Sequence, residues 1–313
     1  MSVRATPVDI DLNHLNPQRL IPVERLKQLN TRSNRAGLLQ LAGHLAVMGV
    51  SGGLWLTQMG SHSWIALPAL VVYGASLATM FAALHECVHR TAFASPRLND
   101  AVAWWAGLLS FYNSTFYRRY HKWHHRYTQI PGKDPELEDA KPQNGRDYLL
   151  ELSGIPWWIG KVKGYFRLAS GQLQGYPYIP ESARVEVIRS VRWQLAVYSL
   201  GILVSILSGY PGFVLGWLLP LAVGQPILRF ILLAEHTGCS QDEDPLTNTR
   251  TTLTLWPIRF LMWNMPYHAE HHLYPSIPFH ALAKAHEHLQ PYLAHLEPGY
   301  LRVHQRVVGH FQS

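Results

Sequence analysis

Charge is scarce in this chain, and cysteine scarcer still. Of 313 residues, 15% are Asp, Glu, Lys or Arg, against about 25% in an ordinary soluble domain, so a wholly water-facing fold is not expected. The two cysteines, Cys87 and Cys239, are far apart and describe no disulfide framework, which predicts a reducing compartment. The opening residues, MSVRATPVDIDLNHLNPQRL, hold no apolar h-region, and no cleavable signal peptide is predicted. No nucleic-acid-binding motif accompanies the net charge of +7, so nucleic acid is not an expected partner. An anionic membrane surface or an acidic protein remains. Internal repeats and low-complexity tracts are also missing. One domain over 1–313 is the economical expectation, with an N-terminal cytoplasmic segment (1–35), a core (36–290) and a tail (291–313).

What the chain has is apolar length. Hydrophobic residues make up 48%, with 11 Trp and 15 Tyr, rings that favour the membrane interface. Four stretches approach the roughly 20 residues needed to span a bilayer: 36–59, 64–84, 195–210 (the shortest) and 213–234, where Pro220 and Pro226 are expected to bend the helix. GSHS joins the first pair and PG the second, so each pair predicts a tight hairpin. Arg19, Arg25, Lys27, Arg32 and Arg35 precede the first hairpin. Arg90, Arg97, Arg118, Arg119, Lys122 and Arg126 lie between the two, and Arg250, Arg259 and Lys284 follow the second. The positive-inside rule therefore puts both termini and the central segment in the cytoplasm. The run 101–112 is too short to span and predicts an interfacial or re-entrant helix. Segments 129–147 and 239–252 read as polar loops.

Histidine is the residue in excess, with 18 copies. HECVH places His85 and His89 at i, i+4. HKWHH places His121, His124 and His125 at i, i+3, i+4, and HAEHH repeats that spacing with His268, His271 and His272. On helices such spacings put the imidazoles on one face, about one turn apart, as a shared metal requires. His236 stands alone at the cytoplasmic end of the fourth span. A single HxxxH is weak evidence and more often a surface pair. Three clusters and His236 on one side, by a topology drawn from charges alone, point to a metal site. His14, His44 and His62 are isolated, and His280, His286, His288, His295, His304 and His310 are expected on a solvated or interfacial surface. Nine imidazoles exceed the three or four ligands of a zinc site, which implies two metals. There is no cysteine ligand set and no pair of ExxH motifs as in soluble di-iron bundles. Imidazole alone does not choose among Fe, Cu, Zn and Ni. A dinuclear site at the edge of a lipid-embedded bundle favours iron and dioxygen, since hydrolysis rarely needs this setting. The expected fold is thus an all-α integral membrane protein, with four transmembrane helices in two hairpins and a cytoplasmic helical cap holding a histidine-rich di-metal site.

HxxxH, HxxHH and HxxHH in that order on two hairpins resemble the membrane fatty-acid desaturase superfamily, which also holds hydroxylases, carotenoid ketolases and alkane monooxygenases. The resemblance covers about residues 36–290. It implies that His85, His89, His121, His124, His125, His268, His271 and His272 bind two irons, and that His236 is the extra ligand ahead of the last box. Asn264, one turn before His268, is a candidate to orient a ligand or an iron-bound water. Asp134 and Glu235 are candidates to accept the second N–H of a ligating histidine. Arg229, inside the fourth span, is expected to pair with Glu235 or to snorkel outward. The sequence departs from some relatives in having no HPGG haem motif, no C-x-x-C pairs of a rubredoxin and no ferredoxin cysteine run. Electrons are then expected from a separate protein of ferredoxin, rubredoxin or cytochrome b5 type.

The implied reaction is O2-dependent oxidation of an unactivated C–H bond in a lipid or fatty-acyl substrate, with fatty-acyl desaturation as the first expectation. Hydroxylation, ketolation or oxidative decarboxylation of a lipid or specialised metabolite is the alternative for the same site. A membrane metal sensor or carrier is a different class; transporters place ionisable sites near the midplane, whereas these histidines gather at one surface.

Overall fold

The computed structural model describes residues 19–61, 63–138 and 141–312. Two of the isolated histidines, His14 and His62, and most of the N-terminal segment lie outside the described residues. Thirteen α-helices are described: α1 (Val23–Leu29), α2 (Asn34–Gln58), α3 (Ala66–Val88), α4 (Pro96–Ser110), α5 (Ser114–Tyr127), α6 (Gly145–Leu152), α7 (Ile155–Ala169), α8 (Glu181–Ser208), α9 (Leu219–His236), α10 (Trp256–Leu261), α11 (His268–Leu273), α12 (Phe279–Leu289) and α13 (Tyr300–Gly309). One departure from an all-helical chain is a two-residue parallel pairing of β1 (Thr251–Thr252) with β2 (Leu296–Glu297).

Four helical stretches are long and apolar enough to cross a bilayer: α2, α3, α8 and Val214–His236, which is α9 preceded by a π-helical turn (Val214–Leu218). Their outward faces stay apolar. Leu38, Leu39 and Val50 on α2, and Leu203, Ile206 and Leu207 on α8, are exposed. That much contiguous apolar surface would be unfavourable in water and suits hydrocarbon. The third expected span (195–210) is the second half of a 28-residue helix. Its charged first half continues without a break, because Arg119 pairs with Glu186 at 2.5 Å and Asn113 bonds Ser190 and Gln194. Gly209 at φ +66° ends the helix in the left-handed region that glycine adopts freely. In the fourth span the π turn lies just ahead of Pro220, while Pro226 sits inside a continuous α-helix. The run expected at 101–112 is the end of α4, which starts at the Ser95 cap with Pro96 and stops where Phe111 turns to φ +62°.

α3 is the central element. Of its apolar window 67% is buried, against 17% for α8, and it packs on α2, α4 and α9. Against α2 the contacts run antiparallel: Gly37 meets Ala92 and Phe93, His44 bonds the Ser76 carbonyl at 2.8 Å, and Gly52 meets Tyr73. Small residues let α3 and α9 touch backbone to backbone. A Cβ added at Gly224 would lie 1.9 Å from the Gly74 carbonyl oxygen, and one at Gly74 would lie 2.2 Å from that of Pro220. At the other end, α3, α5, α9 and α11 bring all of their clustered histidines together.

This close approach makes a direct prediction. Gly224→Ala should destabilise the purified protein by about 1–3 kcal/mol or more, since neither backbone can move aside cheaply. Gly49→Ala, where an added Cβ meets nothing within 4 Å, should leave the thermal midpoint unchanged or slightly higher. Equal midpoints for Gly224→Ala and the parent in detergent would show that α3 and α9 do not touch here.

Candidate metal centre

Each histidine cluster sits where local chemistry ends or starts a helix. His85 and His89 close α3, and Arg90 leaves it at φ +60°. Asn113 caps α5, its Oδ1 accepting from Phe116 N at 3.0 Å, and that helix carries His121, His124 and His125. His236 ends α9, whose last turn is capped by buried Arg250 donating to the carbonyls of Ala234 (2.5 Å) and Thr237 (2.8 Å). Two successive left-handed residues, Trp263 (φ +49°) and Asn264 (φ +57°), turn the chain from α10 toward the short helix α11, which bears His268, His271 and His272.

The nine side chains form two groups. His85, His89, His121, His125 and His271 each offer a nitrogen within 4.8 Å of the others, and so do His124, His236 and His272. His268 joins the second group, its Nε2 lying 3.1 Å from that of His236 and 3.2 Å from that of His272. In the first group the Nε2 of His271 is 2.8 Å from that of His85 and 3.1 Å from that of His125. The His125 and His121 Nε2 atoms are 3.0 Å apart.

These separations fit metal ions. Metal–imidazole bonds of about 2.0–2.1 Å, set at right angles, put neighbouring nitrogens about 3.0 Å apart. The donor set cannot satisfy itself. His236 Nδ1 faces the Asn248 carbonyl at 3.0 Å, and a carbonyl only accepts, so the proton is on Nδ1 and Nε2 presents its lone pair to the cluster. His272 Nδ1 likewise meets Thr128 Oγ1 (3.2 Å), whose own hydrogen goes to the His124 carbonyl. His89 Nε2 is buried with no hydrogen-bond partner among the described residues. Such converging lone pairs call for cations, and each group could hold one.

The electrostatics agree. Burial first, then repulsion among neighbouring imidazoles, holds His121, His125, His268, His271 and His272 well below the ordinary pKa. His89 is pulled down to about 3 by the same causes. These rings are neutral at neutral pH and free to ligate. His124 is the exception. Burial alone would depress it, but the carboxylates of Glu136 and Asp134 together outweigh burial and raise it.

Of the residues singled out beside the histidines, Asp134 is buried and accepts from His124 Nδ1 at 2.9 Å, Gln129 N at 2.7 Å and Glu136 N at 3.0 Å. Glu235 meets no Nδ1. Its Oε2 lies 3.5 Å from the Nε2 of His268, the face turned to the cluster, and its Oε1 is buried without a partner. Asn264 does not reach a histidine; its amide donates to the Phe279 carbonyl at 3.0 Å, fixing the start of α12. Arg229 forms no ion pair with Glu235 and does not simply snorkel: it donates to Tyr112 Oη at 3.0 Å. Two histidines expected on the surface are buried. His286 pairs with Glu270, which also accepts from Thr251, and His304 bonds Tyr148 and the Phe230 carbonyl. His44 is buried and bonded within the helix bundle, to Ser76 and Trp263. Sequence reasoning missed Tyr117, stacked on His121 with its Oη 3.3 Å from His85 Nδ1. Its place one helical turn before His121 was a readable signal. Thr128 and Asn248 sit in loops and carried none.

A family model described as fatty acid desaturase matches residues 62–304. A protein of Oryza sativa subsp. japonica named as a sphingolipid delta(4)-desaturase-like protein is 25% identical over 84% of this chain and 78% of its own length. An sn-1 oleoyl-lipid 12-desaturase of Picosynechococcus is 25% identical over 71% and 68%. A dihydrorhizobitoxine desaturase of Bradyrhizobium elkanii is 26% identical over 77% and 71%.

Asp134 offers the cleanest test of how the cluster is held. Asp134→Ala removes one acceptor from His124 and two from backbone N–H groups. Stability should fall by about 3 kcal/mol, and metal retained through dialysis should weaken by about 10–100-fold. An Asp134→Ala protein with parental metal content and thermal midpoint would show that the carboxylate does not position His124.

Proposed function

The chain belongs to the fatty acid desaturase family, and on that premise we propose that it is a multi-pass membrane di-iron enzyme that desaturates a fatty-acyl or related chain. His85, His89, His121, His125 and His271 would hold one iron, and His124, His236, His268 and His272 the other. The observation that carries this reading is the convergence of nine histidine side chains from four helices into two groups. When bound, the two irons supply, with dioxygen and electrons from a separate redox protein, the oxidising power to remove hydrogen from an unactivated C–H bond.

The chain's own residues do the rest. Asp134, Asn248 and Thr128 hold protons on the outer nitrogens of His124, His236 and His272, so that each ring turns Nε2 inward. Glu86, between His85 and His89, accepts from Phe279 N at 3.0 Å and ties the end of α3 to the start of α12. Glu270 does the same for the third cluster through Thr251 and His286. Glu235, facing the second group, is placed to add a carboxylate oxygen to it. Phe81 and Tyr117 pack beside His85, with Tyr112 packed on both of them, and keep bulk water from that flank.

The two helix pairs, α2 with α3 and α8 with α9, are read as hairpins across the bilayer. The arginines and lysines before α2, between α3 and α8, and after α9 support a topology with both termini and the metal site on the cytoplasmic side. The relatives are named for different molecules, a sphingolipid, an oleoyl lipid and dihydrorhizobitoxine. What their names share is desaturation, which favours that outcome over hydroxylation.

Mass spectrometry of total lipids and free acids, comparing cells with the intact chain and with His271→Ala, tests the reading. A product two mass units below its precursor, lost in the variant, is expected, together with about two irons per purified chain and fewer in His271→Ala. A product sixteen units heavier would make the protein a hydroxylase, and a chain that binds no iron would overturn the proposal.

A further inference from the structure

Away from the histidines, two partly buried cations have no ion-pair partner among the described residues. Lys161 lies on α7 and Arg229 on α9, and both converge on one phenol. The Lys161 ammonium stands 3.5 Å from the centroid of the Tyr112 ring. Arg229 Nη2 and Trp157 Nε1 each donate to Tyr112 Oη at 3.0 Å. Glu235, farther along α9, feels the Arg229 charge but stands beyond ion-pair distance and faces His268. Arg229 Nε is buried without a partner. One turn earlier on α9, Gln225 is fully buried with both amide atoms unpartnered.

Hydrogen-bond accounting sharpens the point. The Tyr112 oxygen already accepts two N–H donors, so its own hydrogen must be donated outward, and no acceptor for it is found among the described residues. A phenol, an ammonium and a guanidinium thus converge with no carboxylate at ion-pair distance among the described residues. Burial of unpaired charge is costly, and the cation–π contact recovers only about 0.5–2 kcal/mol of that cost. Burial first, and the Arg229 charge next, hold the Lys161 pKa well below its ordinary value.

The geometry points to an oxyanion subsite, formed by Lys161, Arg229 and the Tyr112 hydroxyl, that takes the anionic head of the substrate: the carboxylate of a free acid or the phosphate of an acyl lipid. This rests on the desaturase reading above. The subsite is close to the metal centre. Tyr112 packs 4.6 Å from Phe81 and 5.7 Å from Tyr117, ring centre to ring centre, and the Tyr117 hydroxyl lies 3.3 Å from His85 Nδ1. One aromatic layer therefore separates head-group and oxidation sites, and a neutral head group would leave the three donors unanswered.

Binding, measured on iron-loaded protein in nanodiscs of zwitterionic lipid without reductant, tests this apart from turnover. Palmitate and dioleoylphosphatidic acid are the anionic probes, methyl palmitate and dioleoylglycerol their neutral counterparts. At least one anion should bind roughly tenfold or more tightly than its neutral counterpart, and Lys161→Met, Arg229→Gln and Tyr112→Phe should each erase that preference. Preference for palmitate identifies a carboxylate, and preference for phosphatidic acid a phosphate. Lys163→Gln, an exposed lysine on the same helix, should bind as the parent does. If Arg229→Gln does not fold, Lys161→Met and Tyr112→Phe decide alone. Equal affinity for charged and neutral probes, or an unchanged preference in those variants, overturns the subsite. Parental iron content in all variants separates that failure from failure of the desaturase reading, which falls with the iron and the mass shift.

Discussion

Nine imidazole rings, most of them buried and all close enough to repel one another if charged, are the constraint this structure is built to meet. A hydrophobic core would settle without them, and bare lone pairs 2.8–3.2 Å apart are unfavourable on their own. The cluster can be stable in one state, neutral rings around cations, and the surrounding chain enforces that state. Depressed imidazole pKa values keep protons off, while fixed acceptors at Asp134 and Asn248 decide which nitrogen faces inward.

The carboxylates share this work unequally. Glu86 and Glu270 sit between clustered histidines in sequence yet face away from the imidazole cluster, each tying its segment to α12. Asp134 comes from a loop and holds one ring. Glu235 and Glu136 face inward, both toward the second group, which makes the two groups chemically unlike: five nitrogens in one, four nitrogens beside two carboxyl groups in the other. Such an asymmetric pair of groups would offer two ions different charge environments.

Much of this was legible in the sequence, for physical reasons that differ by element. Apolar runs reported three spans closely because hydrocarbon imposes length and composition together. The third run looked short because the apolar half of α8 continues its charged half without a cap, and periodicity records no boundary where none exists. The histidine spacings reported one face of a helix directly. What sequence could not give was direction. Glu235 and Asp134 looked alike, yet one faces Nε2 and the other Nδ1, since only tertiary placement decides which side of a ring an acid meets. His286 and His304 looked like surface residues because their partners, Glu270 and Tyr148, are 16 and 156 positions away.

The glycine contact between α3 and α9 has a geometric corollary. Gly74 lies eleven residues before His85, and Gly224 twelve before His236, so each helix extends about 16–18 Å from the crossing to its ligand at 1.5 Å per residue. The two helices behave as the arms of a pair of tongs with the glycines as rivet. A rotation of about 5° at the rivet would move either jaw by roughly 1.5 Å over that length, more than the misplacement of about 1 Å that can cost a hundredfold in a positioned reaction. Precision at the histidine cluster is therefore set deep in the apolar helix bundle, where the two backbones have no room to slide.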